Sequence, residues 1–214
     1  MSSFKFDIDE SYMDSFFNPI KNKVQTIALL MHSIKYMLIN PIVSKERKKG
    51  EIIVNIDKMS RIFFSKDDKY FSVTFPFTMK FDGSCYSFSF KNQMDIDSKL
   101  TTEVLALINE PNFTSGCSLE FADKISLYQE DTGNEHYWNF LREMLVNEDG
   151  YLRYDYDNKN YLKHNKSDIH PLNHLDIFYG SNATFKVGIR RRIKNDEFLD
   201  LLNIKTKCNF IAFK

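Results

Sequence analysis

The sequence predicts an α+β protein, a single domain over residues 1–214 with an antiparallel sheet and helices packed on one side. Three observations carry this reading. Aromatic residues make up 15% of the chain, with 20 Phe and 11 Tyr against one Trp, and pleated surfaces favour such side chains. The apolar period is helical near the N-terminus and shifts to short strand-like runs in the middle. Seven glycines and no linker rich in Pro, Gly or Ser leave few turns and no break between domains. Helices laid against an antiparallel sheet fit that order.

Residues 9–40 read as a helical segment. Tyr12, Met13, Phe16 and Phe17 form a short stripe, and Pro19 suits the start of a new helix. Val24, Ile27, Ala28, Met31, Ile34 and Leu38 then give one apolar face that ends near Asn40-Pro41, a face for packing on a sheet. Lys45 to Gly50 is a charged turn that could touch phosphate, though a solvated loop is the better reading. Strand-like runs follow at 52–56, 61–64, 70–77, 79–81 and 85–90. Asp82-Gly83 between two of them signals a hairpin, because both residues tolerate positive φ. Ser98 can cap a helix carrying Leu100, Val104, Leu105 and Ile108, which Pro111 ends. A further helix presents Tyr137, Trp138, Leu141, Met144 and Leu145, with Asn134 as cap and Gly150 as stop. Strands are expected at 151–156, 174–179 and 184–189, with a polar loop before the second, a helix around 196–202 and an apolar end at 210–213.

Charge and motif content exclude several classes. Lys plus Arg and Asp plus Glu are both 29, so no global field attracts a phosphate backbone. A local basic patch is the remaining route to nucleic acid. Cys85, Cys117 and Cys208 are scattered, at no metal-ligand spacing, and read as reduced thiols in small core positions. The N-terminus lacks the basic-then-apolar order of a signal peptide. The longest apolar stretch, near Ile27 to Ile39, is broken by His32, Ser33 and Lys35, so no membrane span and a cytoplasmic location are expected. There is no Gly-rich phosphate loop, Cys-x-x-Cys pair, His-Glu-x-x-His helix or Gly-x-Ser-x-Gly elbow. No organic cofactor is expected.

One cassette concentrates chemistry. It runs from Tyr151-Leu-Arg153-Tyr-Asp155-Tyr-Asp157 through His164 and His170-Pro-Leu-Asn-His174-Leu-Asp176-Ile177 to Arg190-Arg191-Arg192. Side chains two apart on a strand share a face. Arg153, Asp155 and Asp157 therefore oppose Leu152, Tyr154 and Tyr156, while His174 and Asp176 oppose Leu175 and Ile177. If the two strands pair, Arg153, Asp155, His174 and Asp176 gather into one polar cluster. An imidazole with orienting carboxylates suits acid–base work, and the same groups suit a divalent metal. A cross-strand salt bridge at the same positions has no chemistry of its own. Arg190, Arg191 and Arg192 follow a strand and can meet phosphate, or pair with Asp196, Glu197 and Asp200.

The cassette, over roughly residues 150–203, resembles a bacterial family of unknown function. It shares Tyr151-Leu-Arg-Tyr-Asp-Tyr-Asp, then His170-Pro-x-x-His174-Leu-x-Ile177, then an arginine ahead of a short helix. Members of that family often lie beside phage-defence or mobile-element genes. The family commonly carries His at the position of Asp176, and Arg-Ile-Pro in place of Arg191-Arg192-Ile193-Lys194. A more distant resemblance is to toxin families with a conserved acid and a His-Pro-x-x-His-like segment.

Two functional expectations follow. In the first, the chain is a non-catalytic subunit of a multi-protein bacterial anti-phage defence system. It would bind proteins of the same operon through surplus aromatics, with the cassette as a rigid polar contact surface anchored by Arg153 and Arg190 to Arg192, and a local basic patch could add nucleic acid. In the second, it is a small nuclease-type effector. His170 and His174 would then act as acid and base or as metal ligands, with Asp155 and Asp157 orienting them and Arg153 and Arg192 stabilising phosphoryl charge.

Overall fold

The architecture comes from a computed structural model that describes residues 2–56, 60–110, 113, 126, 130, 137–164, 170–180 and 183–207. Its class is α+β, with a seven-stranded antiparallel sheet and a separate three-stranded one. The elements gather into two compact units, residues Met1–Met13, Val43–Phe75 and Gly150–Lys214 in the first, and Asp14–Ile42 and Pro76–Asp149 in the second.

The first unit holds the large sheet, in the order β1 (Ser2–Asp9), β2 (Lys48–Ile56), β3 (Arg61–Lys66), β4 (Lys69–Thr74), β8 (Leu152–Tyr156), β9 (Asn173–Gly180) and β10 (Ala183–Gly188). Strand β1 lies outside the expected strands, although Phe4, Phe6 and Ile8 alternate with Lys5 and Asp7 at the period of a half-buried strand. The charged stretch 45–50 is not all turn, since β2 begins at Lys48. Arg47 folds back instead to bind Asp9, with Nε 2.6 Å from Oδ2, and Lys48 pairs with Asp7 and Glu51.

The sheet has two unlike faces because its period is two. Phe63, Tyr70 and Tyr154 point to one side, where Phe198 of a short helix, α6 (Asn195–Leu201), and Ile193 close a core. Phe198 meets Phe63 edge-on at 6.3 Å between ring centroids, and Tyr70 stacks on Tyr154 at 5.3 Å. On the other face Ile62, Phe64, Phe71 and Val73 are buried, and Phe64 and Phe71 stack at 4.7 Å. The chain enters β8 through Gly150 at φ +52°, where a Cβ would stand 2.9 Å from the Arg61 guanidinium. That close approach admits only glycine without rearrangement.

The second unit carries α2 (Lys23–Ile39), α3 (Ser98–Ile108) and α4 (Tyr137–Val146) beside the sheet β5 (Phe77–Phe81), β6 (Tyr86–Phe90) and β7 (Met94–Asp95). A short 3-10 turn at Glu10–Tyr12 and α1 (Met13–Phe17) precede α2. Asn22 caps α2 at its start, and Asn40 ends it at φ 44°. Helix α2 meets α3, α4 and strand β6, so its apolar face serves other helices as well as a sheet. The expected run 70–77 is split: β4 stops at Thr74, and Phe77 opens β5 in the other sheet after Pro76. The Asp82-Gly83 hairpin forms between β5 and β6, but only Gly83 takes positive φ. Asp82 instead accepts from the Ser84 and Cys85 amides at 2.8 Å, an Asx turn. Asp97, rather than Ser98, caps α3 by accepting from the Leu100 amide.

Cys85 is exposed in that hairpin and is not a core residue. Cys117, Cys208, Pro111, Asn134 and the segment 210–213 lie outside the described residues. The aromatic surplus goes into cores, because among the described residues only Phe81 and Phe185 are exposed aromatics. No helix among the described residues is long and apolar enough to cross a membrane.

Phe198 is the main plug between α6 and the sheet. Its truncation to alanine is expected to cost about 3–5 kcal/mol, read as a lowered midpoint of urea unfolding.

Candidate functional site

The cassette strands are neighbours. In the antiparallel β8–β9 pair Arg153 stands opposite Asp176, Asp155 opposite His174 and Tyr154 opposite Leu175. Strand β10 adds Lys186 opposite Asp176 and Gly188 opposite His174. Residues of alternate parity face opposite sides, so five chemistry-bearing side chains meet on one face.

Arg153 ties the two carboxylates. Its Nε lies 2.6 Å from Asp155 Oδ2, and its Nη2 donates to Asp176 Oδ2. The guanidinium also lies over the Phe178 ring at 5.4 Å, a cation–π contact. Burial opposes its charge, but Asp155, Tyr151 and Asp176 together hold Arg153 above the ordinary arginine value. Burial pushes the Tyr151 hydroxyl up, with Arg153 opposing.

His174 is 1% exposed and Asp176 2%. Nδ1 of His174 lies 2.8 Å from the Pro171 carbonyl. A carbonyl only accepts, so Nδ1 carries a proton and Nε2 is the nitrogen directed inward. Nε2 is 3.9 Å from Oδ2 of both Asp155 and Asp176. Lys186 Nζ stands 3.5 Å from Nε2 and 3.6 Å from Asp176 Oδ1. Oδ1 is buried without a hydrogen bond. Gly188 leaves room for this arrangement, because a Cβ there would press on Pro171 at 3.2 Å. Asp155, His174 and Asp176 offer ligand atoms within 4.8 Å of one another, the geometry of a candidate metal centre.

Two expected members stand apart. Asp157 lies beyond the end of β8 and caps a short helix, α5 (Asn158–Lys163), which occupies part of the expected polar loop. Burial raises its pKa, but the Asn160 backbone and side-chain amides, with His174 and His170, pull it below the ordinary carboxylate value. His170 stacks on His164 at 4.4 Å, and its buried Nδ1 has no hydrogen-bond partner. Partial burial and the cations around it, Lys186 foremost, lower its pKa. Neither residue belongs to the convergent triad.

The arginine run also divides. Arg190 is exposed, and Arg191 is tied to Glu197 at 2.9 Å. Arg191 and the Lys194 amide hold the Glu197 carboxyl down to about 2. Arg192 lies over the Tyr156 ring at 4.6 Å and donates to the Asp67 carbonyl. It lines a cleft of about 760 Å³ formed by the start of β2, the end of β3 and the segment entering α6. Lys48, Lys49, Lys66 and Lys194 line the same cleft, against Glu51 and Asp67. Lys48 and Lys49 belong to the charged run 45–50, while Lys66 and Lys194 come from elsewhere in the chain, and only the fold assembles the four.

Tyr154 links the two sites. Its hydroxyl donates to Asn173 Oδ1 at 2.8 Å and accepts from the Ile193 amide at 3.3 Å. Ile193 lies between Arg192 and Lys194, so this contact fixes the cleft wall. In comparisons with protein-family models, curated proteins and solved structures, none matches this chain.

Arg153 compensates the buried Asp176 and the half-buried Asp155, so Arg153→Ala is expected to destabilise the fold by about 3–5 kcal/mol. Lys69, a more exposed partner 3.8 Å from Asp155, is expected to matter by less than about 1 kcal/mol when replaced by alanine. Denaturant unfolding of both variants checks the contrast.

Proposed function

We propose that this chain is a non-catalytic accessory subunit that acts by contact, and that its cleft at Arg192 receives a nucleic-acid backbone. The observation that carries this is the cleft lining, five cationic side chains against two carboxylates in a chain of net charge zero. Positive charge focused in a cleft raises the local concentration of polyanions and releases their counterions on binding. Lys49 and Lys194 are exposed there. Arg192, stacked on Tyr156, is already ordered, which lowers the entropic cost of a contact. The setting in a multi-protein bacterial defence system, with partners from the same operon, rests on the resemblance of the cassette.

A nuclease-type effector is the second reading, and one observation favours it. Asp155, His174 and Asp176 converge as a divalent metal would require. Such an ion would supply a polarised water or phosphoryl oxygen. Burial of His174 and Asp176 argues against direct access for a polymer.

Fluorescence anisotropy with a labelled single-stranded oligonucleotide tests the first reading. Wild type should bind at low salt, and the double variant Lys49→Ala/Lys194→Ala should bind more weakly. The slope of log K against log salt should shrink by about 0.7 for each cation lost. No binding at low salt, or an unchanged slope, contradicts it.

A further inference from the structure

The geometry points to Asp155, His174 and Asp176 as a site for one first-row divalent ion, with the Lys186 ammonium as a resident cation that the ion displaces. This rests on the metal reading of the triad and says nothing of hydrolysis.

Four features combine. A ligating histidine normally donates its second nitrogen to a carbonyl or carboxylate, which fixes the tautomer and aims the other nitrogen. His174 has that arrangement through Pro171, with Nε2 directed at the carboxylates. Arg153 reaches Oδ2 of both Asp155 and Asp176 and so orients each carboxylate, while the Oδ1 atoms meet cations only at longer range, Lys69 at 3.8 Å from Asp155 and Lys186 at 3.6 Å from Asp176. Asp176 Oδ1 is buried without a hydrogen bond, an unmet acceptor that an ion satisfies. Finally, Lys186 Nζ already sits between Nε2 and that oxygen, at 3.5 and 3.6 Å.

Those Lys186 distances exceed normal hydrogen bonds, so the ammonium balances charge without satisfying either atom. Its side chain is 39% exposed and can withdraw toward water. A divalent ion at about 2.0–2.2 Å would draw the three ligands together. One imidazole with two carboxylates suits zinc or manganese better than magnesium or calcium, which prefer all-oxygen shells. Three protein ligands leave a coordination position open.

Titration calorimetry with zinc chloride at fixed pH and ionic strength tests this. Lys186→Met should bind one zinc ion per chain, at least about tenfold tighter than wild type, since it removes the competing charge. Adding His174→Ala or Asp155→Asn to Lys186→Met should abolish that binding. Cobalt absorption bands in the Lys186→Met protein should report imidazole and carboxylate ligation without relying on the fold of the double variants. Lys186→Met binding no tighter than wild type, or zinc retained after loss of His174, overturns the proposal. Zinc binding without cleavage of an oligonucleotide leaves it standing and removes the nuclease reading.

Discussion

The register between β8 and β9 is the constraint on which the rest depends. With Arg153 opposite Asp176 and Asp155 opposite His174, odd-numbered β8 residues build the charged network. The even-numbered Tyr154 stacks on Tyr70 and holds the Ile193 amide. One strand thereby serves two sites on opposite faces. A slip of one residue would send the charges into the α6 core and the tyrosines into the network. Both outcomes bury unpaired polar groups, so packing and electrostatics select the same register.

The network itself is costly to assemble. Desolvating carboxylates, an imidazole and a guanidinium is unfavourable, and their mutual attraction repays this only with good geometry. Arg153 meets that demand by reaching both acids and lying over Phe178. Asp176 Oδ1 is the exception, an acceptor left without a hydrogen bond. An orphaned oxygen beside an oriented imidazole distinguishes this cluster from a closed salt-bridge network.

Much of this was legible in the chain. The period-two pattern of Leu152 to Tyr156 and of His174 to Ile177 gave the two faces, and closeness in sequence suggested the pairing. Asp157 departs from the strand parity because it lies past the end of β8, where its carboxylate accepts from the Asn160 amides as a helix cap. The β1 strand carries only a short alternation, Phe4, Phe6 and Ile8, which runs directly into the helical stripe that starts at Tyr12. Nothing in the sequence around Lys186 points to the cluster, since only the β9–β10 pairing brings it opposite Asp176. The basic cleft had two linear signals, the charged run 45–50 that holds Lys48 and Lys49 and the arginine run that holds Arg192, but only the fold brings them together with Lys66 and Lys194. Cys85 stands in a turn shaped by Asp82, so its surroundings are set by hairpin chemistry rather than by its own burial preference.

The most direct test of the central claim is a double-mutant cycle on Arg153→Met and Asp176→Asn, measured by denaturant unfolding. If these side chains face each other across β8 and β9 as a buried pair, their coupling should be about 1–3 kcal/mol. A coupling near zero, with both single variants folded, would show that the register is different and that neither site is built as described.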